Sequence, residues 1–94
     1  MLTEALIDSA VHLGFPRKVA NKLVLSTMSG STKLAKVRLE SNPADTMSSL
    51  RHDVTSPGGT TAAAINSLTE DQIPAIFARA IASAHQRSIE LANE

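Results

Sequence analysis

Ser26-Thr27-Met28-Ser29-Gly30-Ser31-Thr32 decides the architecture of this chain, because it can be read in two ways. By composition it is a loop, and its flanks are then the two arms of a helical hairpin. As helix it is a run of small side chains that lets a second backbone approach closely, at a cost of about 1 kcal/mol for Gly30 relative to alanine. On that reading one helix runs from Pro16 to about Glu40. Around the stretch, Val19, Leu23, Leu34 and Val37, with Ala20, Val24 and Ala35, supply a broad apolar stripe at helical spacing. Pro16 suits the first helical position, where its missing N–H would have had no partner. Arg17, Lys18, Lys22, Lys33, Lys36 and Arg38 make the segment basic, which reads as a solvated face rather than a nucleic-acid surface, since stacking aromatics and net positive charge are lacking.

Toward the N-terminus, Leu6, Ile7, Ala10, Val11 and Leu13 predict a helix from Thr3 to Leu13, with Thr3 as N-cap and Gly14 as the left-handed stop. It begins almost at Met1, as though the chain were the tail of something longer. Asp8 and His12 lie four apart and predict a surface ion pair; two ligands without a third make no metal site, and no metal is assigned. Toward the C-terminus, Ser41-Asn42-Pro43 ends the long segment and starts a short helix to Asp53, with Pro43 at its first position and Met47, Leu50 and Val54 along one edge. Thr61 to Leu68, with Ala62, Ala63, Ala64 and Ile65, is apolar nearly all round and predicts a buried helix. Thr69 and Gln72 have the spacing of a capping box for a last helix, in which Ile73, Ile76, Phe77, Ala80, Ile81, Ala84 and Leu91 form the cleanest stripe in the chain and Pro74 is tolerated in the first turn. His52, beside Asp53 and near Ser56, makes no hydrolase triad, because the Gly-x-Ser-x-Gly elbow is absent. His85 reads as an edge residue.

The fold expected is therefore all-α, one domain over residues 1–94. Hydrophobic residues make up 43% of the chain and aromatics 2%, so the core must be aliphatic and closely packed. A chain of 94 residues leaves much apolar surface exposed unless it pairs with a second copy. Nine basic residues balance nine acidic ones, which gives no pull toward nucleic acid or an anionic membrane. The chain has no cysteine, no signal-peptide pattern in Met1-Leu2-Thr3-Glu4 and no run long enough to span a bilayer, and cytoplasm is the default expectation.

Between the short helix and the Ala-rich one lies Thr55-Ser56-Pro57-Gly58-Gly59-Thr60-Thr61, two hydroxyl pairs flanking a Pro-Gly-Gly turn. Gly58 and Gly59 can take positive φ and let a ligand approach the main chain, while the first N–H groups of the following helix point outward with partial positive charge. A nucleotide phosphate loop would place Gly-Lys-Ser/Thr here; the missing lysine favours a singly charged carboxylate. The other reading is a plain turn and helix cap.

Val54-Thr55-Ser56-Pro57-Gly58-Gly59-Thr60-Thr61 resembles the signature of pyrroline-5-carboxylate reductase almost letter for letter, specifically of that family's C-terminal dimerisation domain. Gly14-Phe15-Pro16-Arg17, Gly30 with Lys33, Leu50-Arg51 and Arg87-Ser88-Ile89-Glu90-Leu91 extend the resemblance over nearly the whole chain. It implies an all-helical domain with a long central helix that interlocks with a second copy, as a homodimer or an oligomer of dimers, and the reduction of a cyclic imino acid to proline with NADPH or NADH. By the same resemblance Ser56, Gly58, Gly59, Thr60 and Thr61 bind the substrate, with main-chain N–H groups of Gly59, Thr60 and Thr61 and the Ser56 hydroxyl on its carboxylate, and the Thr61 hydroxyl acts catalytically on the ring nitrogen. Two departures stand out: these residues hold no Gly-x-Gly-x-x-Gly fingerprint and no βαβ pattern, and Ser41 to Ser49 is longer than the family pattern. The chain by itself is thus expected to bind no cofactor and to be inactive without a dinucleotide-binding domain. The alternative is a non-catalytic dimerisation module or truncated remnant that binds at most a small carboxylate.

Overall fold

The structure, a computed structural model, describes residues 1–94 and consists of helices and connections without a strand. The helices are α1 (Leu2–His12), α2 (Arg17–Ser41), α3 (Met47–Asp53), α4 (Thr60–Glu70) and α5 (Ile73–Ala92). The chain divides into two compact units, Met1–Leu50 and Arg51–Glu94, with the boundary inside α3.

In the first unit α2 runs unbroken for 25 residues, so Ser26 to Thr32 is helix. Its hydroxyls do not break it: Thr27 turns its Oγ1 back onto the Leu23 carbonyl at 2.7 Å. A Cβ built at Gly30 would meet nothing within 4 Å, so this side of the helix is open to a second backbone. α1 folds back on α2 across a tight corner. The Gly14 N–H donates to the Val11 carbonyl at 2.9 Å and the Phe15 N–H to the Ala10 carbonyl at 3.2 Å, with Gly14 at φ 113. This paired pattern is a Schellman stop, and the positive φ is why glycine stands there. The seam between the helices buries Ala20 completely and Val24 nearly so.

Several expectations at helix ends are corrected. Thr3 lies inside α1 rather than capping it, and its hydroxyl reaches across to the Met28 sulfur at 3.6 Å. Pro16 is the N-cap of α2 in extended conformation, one position before the helix proper. Asp8 pairs with Arg17 at 2.9 Å, across the corner, and not with His12. No helix starts at Pro43. The Asn42 Oδ1 accepts the Ala44 N–H at 3.1 Å and its carbonyl the Asp45 N–H at 3.0 Å, an Asx-type turn that competes with helix. α3 starts four residues later behind a better cap: the Ser49 N–H donates to Thr46 Oγ1 at 3.1 Å and the Thr46 N–H to Ser49 Oγ at 2.8 Å, a capping box with serine in the place of glutamate. Asp45, its side chain largely buried, takes Arg38 at 3.2 Å.

In the second unit, Thr69 and Gln72 form no capping box. Thr69 belongs to α4 and spends its hydroxyl on the Ile65 carbonyl at 2.8 Å, while Gln72 reverses the chain in left-handed conformation, φ 59 and ψ 42. α5 follows at once, with Pro74 in its first turn. α4 is not buried as its composition suggested: Ala62 and Ile65 are half-buried, but Ala63, Ala64 and Leu68 are exposed. The same holds for the stripe of α5, where Ile76, Phe77 and Ile81 stand open to solvent. These faces have no counterpart within the single chain.

Candidate substrate site

The loop after α3 closes on itself before α4 begins. The Val54 and Thr55 N–H groups donate to the carbonyls of Arg51 and His52 at 3.3 and 3.1 Å, which finishes α3. Ser56 to Gly59 then forms a β-turn in which the Gly59 N–H donates to the Ser56 carbonyl at 3.0 Å. Proline in its second position and a positive-φ glycine in its third are the type II pattern, and Gly58 has φ 72. Gly59 departs from expectation. Its φ is −85, open to any residue, so positive φ is not what demands glycine there. The demand is steric: a Cβ on Gly59 would sit 3.2 Å from the Ser56 carbonyl oxygen.

Gly59 is the N-cap of α4, and its carbonyl accepts the Ala63 N–H at 3.1 Å, the first bond of the helix. The N–H groups of Thr60, Thr61 and Ala62 therefore have no helical carbonyl to bond. Gly59's own N–H is turned inward to Ser56, so the outward main-chain donors begin at Thr60. A recess of about 160 Å³ opens beside them, lined by Val54, Ser56, Gly59, Thr60 and Thr61. Gly58 shapes the turn without lining the recess. Ser56 and Thr61 are among its lining residues, and no charged residue is.

The structure thus brings Ser56, Thr60 and Thr61 together at one helix N-terminus. Sequence reasoning missed two residues here. Val54, read as part of the apolar edge of α3, is a wall of the recess. Ala62 has a third N–H without a helical carbonyl, which placing the cap at Gly59 would have revealed, but it does not line the recess. Chemically, main-chain amides with the positive end of a helix dipole and two hydroxyls suit one small anion. A dinucleotide does not fit: there is no strand to build its fold and no glycine fingerprint to cradle a pyrophosphate. No cluster of His, Asp or Glu could hold a metal ion, and no helix is long and apolar enough to cross a membrane.

Fold and loop together define an all-helical module with a small recess at the N-terminus of α4. Residues 1–91 match the family described as pyrroline-5-carboxylate reductase dimerisation, and the chain belongs to that family. It is 41% identical over 91 residues to pyrroline-5-carboxylate reductase of Corynebacterium melassecola, covering 97% of this chain and 32% of the relative. The reductase of Pseudomonas aeruginosa is 39% identical over 94 residues, covering 100% of this chain and 33% of the relative. That of Synechocystis is 38% identical over 91 residues, at 97% and 32%. The chain spans about a third of the length of the curated relatives it matches. No solved structure matches it.

Proposed function

We propose that residues 1–94 act as one functional domain, the dimer-forming and substrate-binding part of a cytoplasmic pyrroline-5-carboxylate reductase in proline biosynthesis. The observation that supports this reading is the recess itself, lined by Ser56, Gly59, Thr60 and Thr61 where the first turn of α4 leaves N–H groups without helical partners. The carboxylate of the cyclic imino acid accepts the Thr60 and Thr61 N–H groups and the Ser56 hydroxyl. With the acid end fixed, the Thr61 hydroxyl reaches the ring nitrogen and orients the C=N bond. Reduction of that bond calls for orientation and polarisation more than for a strong acid, which suits a site without ionisable side chains. Gly59 serves by shape, since its N–H is already engaged. NADPH or NADH, which these residues do not fit, is held by another part of the enzyme.

Proline is the probe for the cradle. In titration calorimetry of the dimer, Thr61→Val should lower proline affinity by about 0.5–1.5 kcal/mol, the usual worth of one hydrogen bond, and should do so only for ligands with a ring nitrogen. Ser56→Ala should weaken carboxylate ligands of every kind. Equal binding by both variants and the parent would leave the loop a turn and cap.

The absence of a nucleotide fit favours a second reading, a dimerisation module without chemistry of its own. An absorbance assay separates the two. The protein alone should not oxidise NADPH in the presence of the imine, and adding a separately produced dinucleotide-binding domain of a relative should start turnover; failure of every such mixture supports the second reading.

A further inference from the structure

The loop enters the recess through Thr55, and that residue is tied to α3 twice. Its N–H donates to the His52 carbonyl at 3.1 Å, and its hydroxyl donates to the Arg51 carbonyl at 2.5 Å. These are last-turn carbonyls, which have no donor within the helix, and α3 has no glycine to close them. The Arg51 carbonyl also takes the Val54 N–H at 3.3 Å, so the Thr55 side chain adds a second, shorter bond to the C-terminal end of α3. It is half-buried, whereas Ser56, Pro57 and Gly58 just after it are exposed, and it is not among the residues that line the recess.

The next fixed point lies on the far side of Ser56, whose carbonyl receives the Gly59 N–H at 3.0 Å. Ser56 thus hangs between two anchors, the Thr55 strap behind it and the turn bond ahead of it. Its hydroxyl has no partner in the chain. We propose that Thr55 is a positioning residue, whose hydroxyl strap to the Arg51 carbonyl fixes where Ser56 stands relative to the Thr60 and Thr61 N–H groups. It acts without touching the ligand. Valine in its place keeps the branched shape and loses the bond; serine keeps the bond and loses only a methyl group. The inference rests on the carboxylate reading given above, since a position matters only if something binds there.

Amide hydrogen exchange and proline titration on the parent, Thr55→Val and Thr55→Ser test it. In Thr55→Val, exchange at the Thr55 and Gly59 N–H groups should quicken about 3- to 10-fold, and proline affinity should fall by a similar factor, as one lost hydrogen bond allows. Amides in α1 and α5 should exchange as in the parent, and Thr55→Ser should match the parent in both measurements. Unchanged loop exchange in Thr55→Val overturns the strap. Faster exchange everywhere also overturns it, because that marks a general loss of stability. Faster loop exchange with unchanged proline affinity overturns the positioning role. If the parent itself binds no proline, the carboxylate reading has failed and the positioning role fails with it, while the exchange comparison still decides the strap.

Discussion

Serial dilution is expected to unfold this protein and not merely to separate its copies. The single chain leaves most of its large apolar side chains open to water. Only Ala20 and Val24 count as core, while Val19 and Leu23 (both 47% exposed), Leu34 (60%) and Val37 (51%) line one face of α2 around Gly30. A core of two residues cannot offset the entropy of ordering the chain, so helix content should fall together with sedimentation coefficient as concentration drops. Leu23→Glu sharpens the test. On a solvated face it would cost a few tenths of a kcal/mol; against a second copy it should cost roughly 2–4 kcal/mol. A helical monomer persisting at every concentration would defeat the expectation, and a harmless Leu23→Glu would show that another face makes the contact.

The second large effect is expected from Gly59→Val. With a Cβ held 3.2 Å from the Ser56 carbonyl oxygen and 3.6 Å from its Cβ, the Ser56 backbone must give by a few tenths of an ångström, and the branched methyls add to the crowding. Valine is also a poor N-cap, so the first turn of α4 should fray. Proline affinity should drop by about 10- to 100-fold, or roughly 1.4–2.8 kcal/mol, read by calorimetry on a dimer of normal helix content. Gly58→Ala is the contrasting change. Nothing lies within 4 Å of a Cβ there, but the φ of 72 is left-handed, so it should act mainly through a strain of about 1–2 kcal/mol on the loop. If Gly59→Val bound proline as the parent does, the recess would not be the ligand site.

The helical class and the α5 stripe were legible in apolar spacing, because a 3.6-residue period survives even where the partner surface is absent. The continuity of α2 was not, since Ser26 to Thr32 has the letters of a loop; it is helix nonetheless, with α1 packed on one side near Met28 and a Thr27 hydroxyl that bonds within the helix. Helix ends were read less well, for one recurring reason. At Thr3, Asn42 and Thr69 a short polar side chain bonds elsewhere than the local pattern suggests, to the Met28 sulfur, the Ala44 N–H and the Ile65 carbonyl, and that choice depends on neighbours the pattern does not contain. At the loop, the hydroxyls and the helix start were legible, but the donor assignment at Gly59 was not. Only the turn bond to Ser56 reveals that its N–H faces inward.

The donors of the proposed cradle belong to the main chain, and this changes what mutation can do to it. At Thr60 the side chain is exposed and the proposed contribution is a single N–H, which every residue except proline supplies. Drift at that position would be silent to the ligand, while one added carbon at Gly59 would not be. Recognition of this kind is inherited as a set of dihedral angles, so two chains with different letters here can share a ligand that a near-identical third has lost.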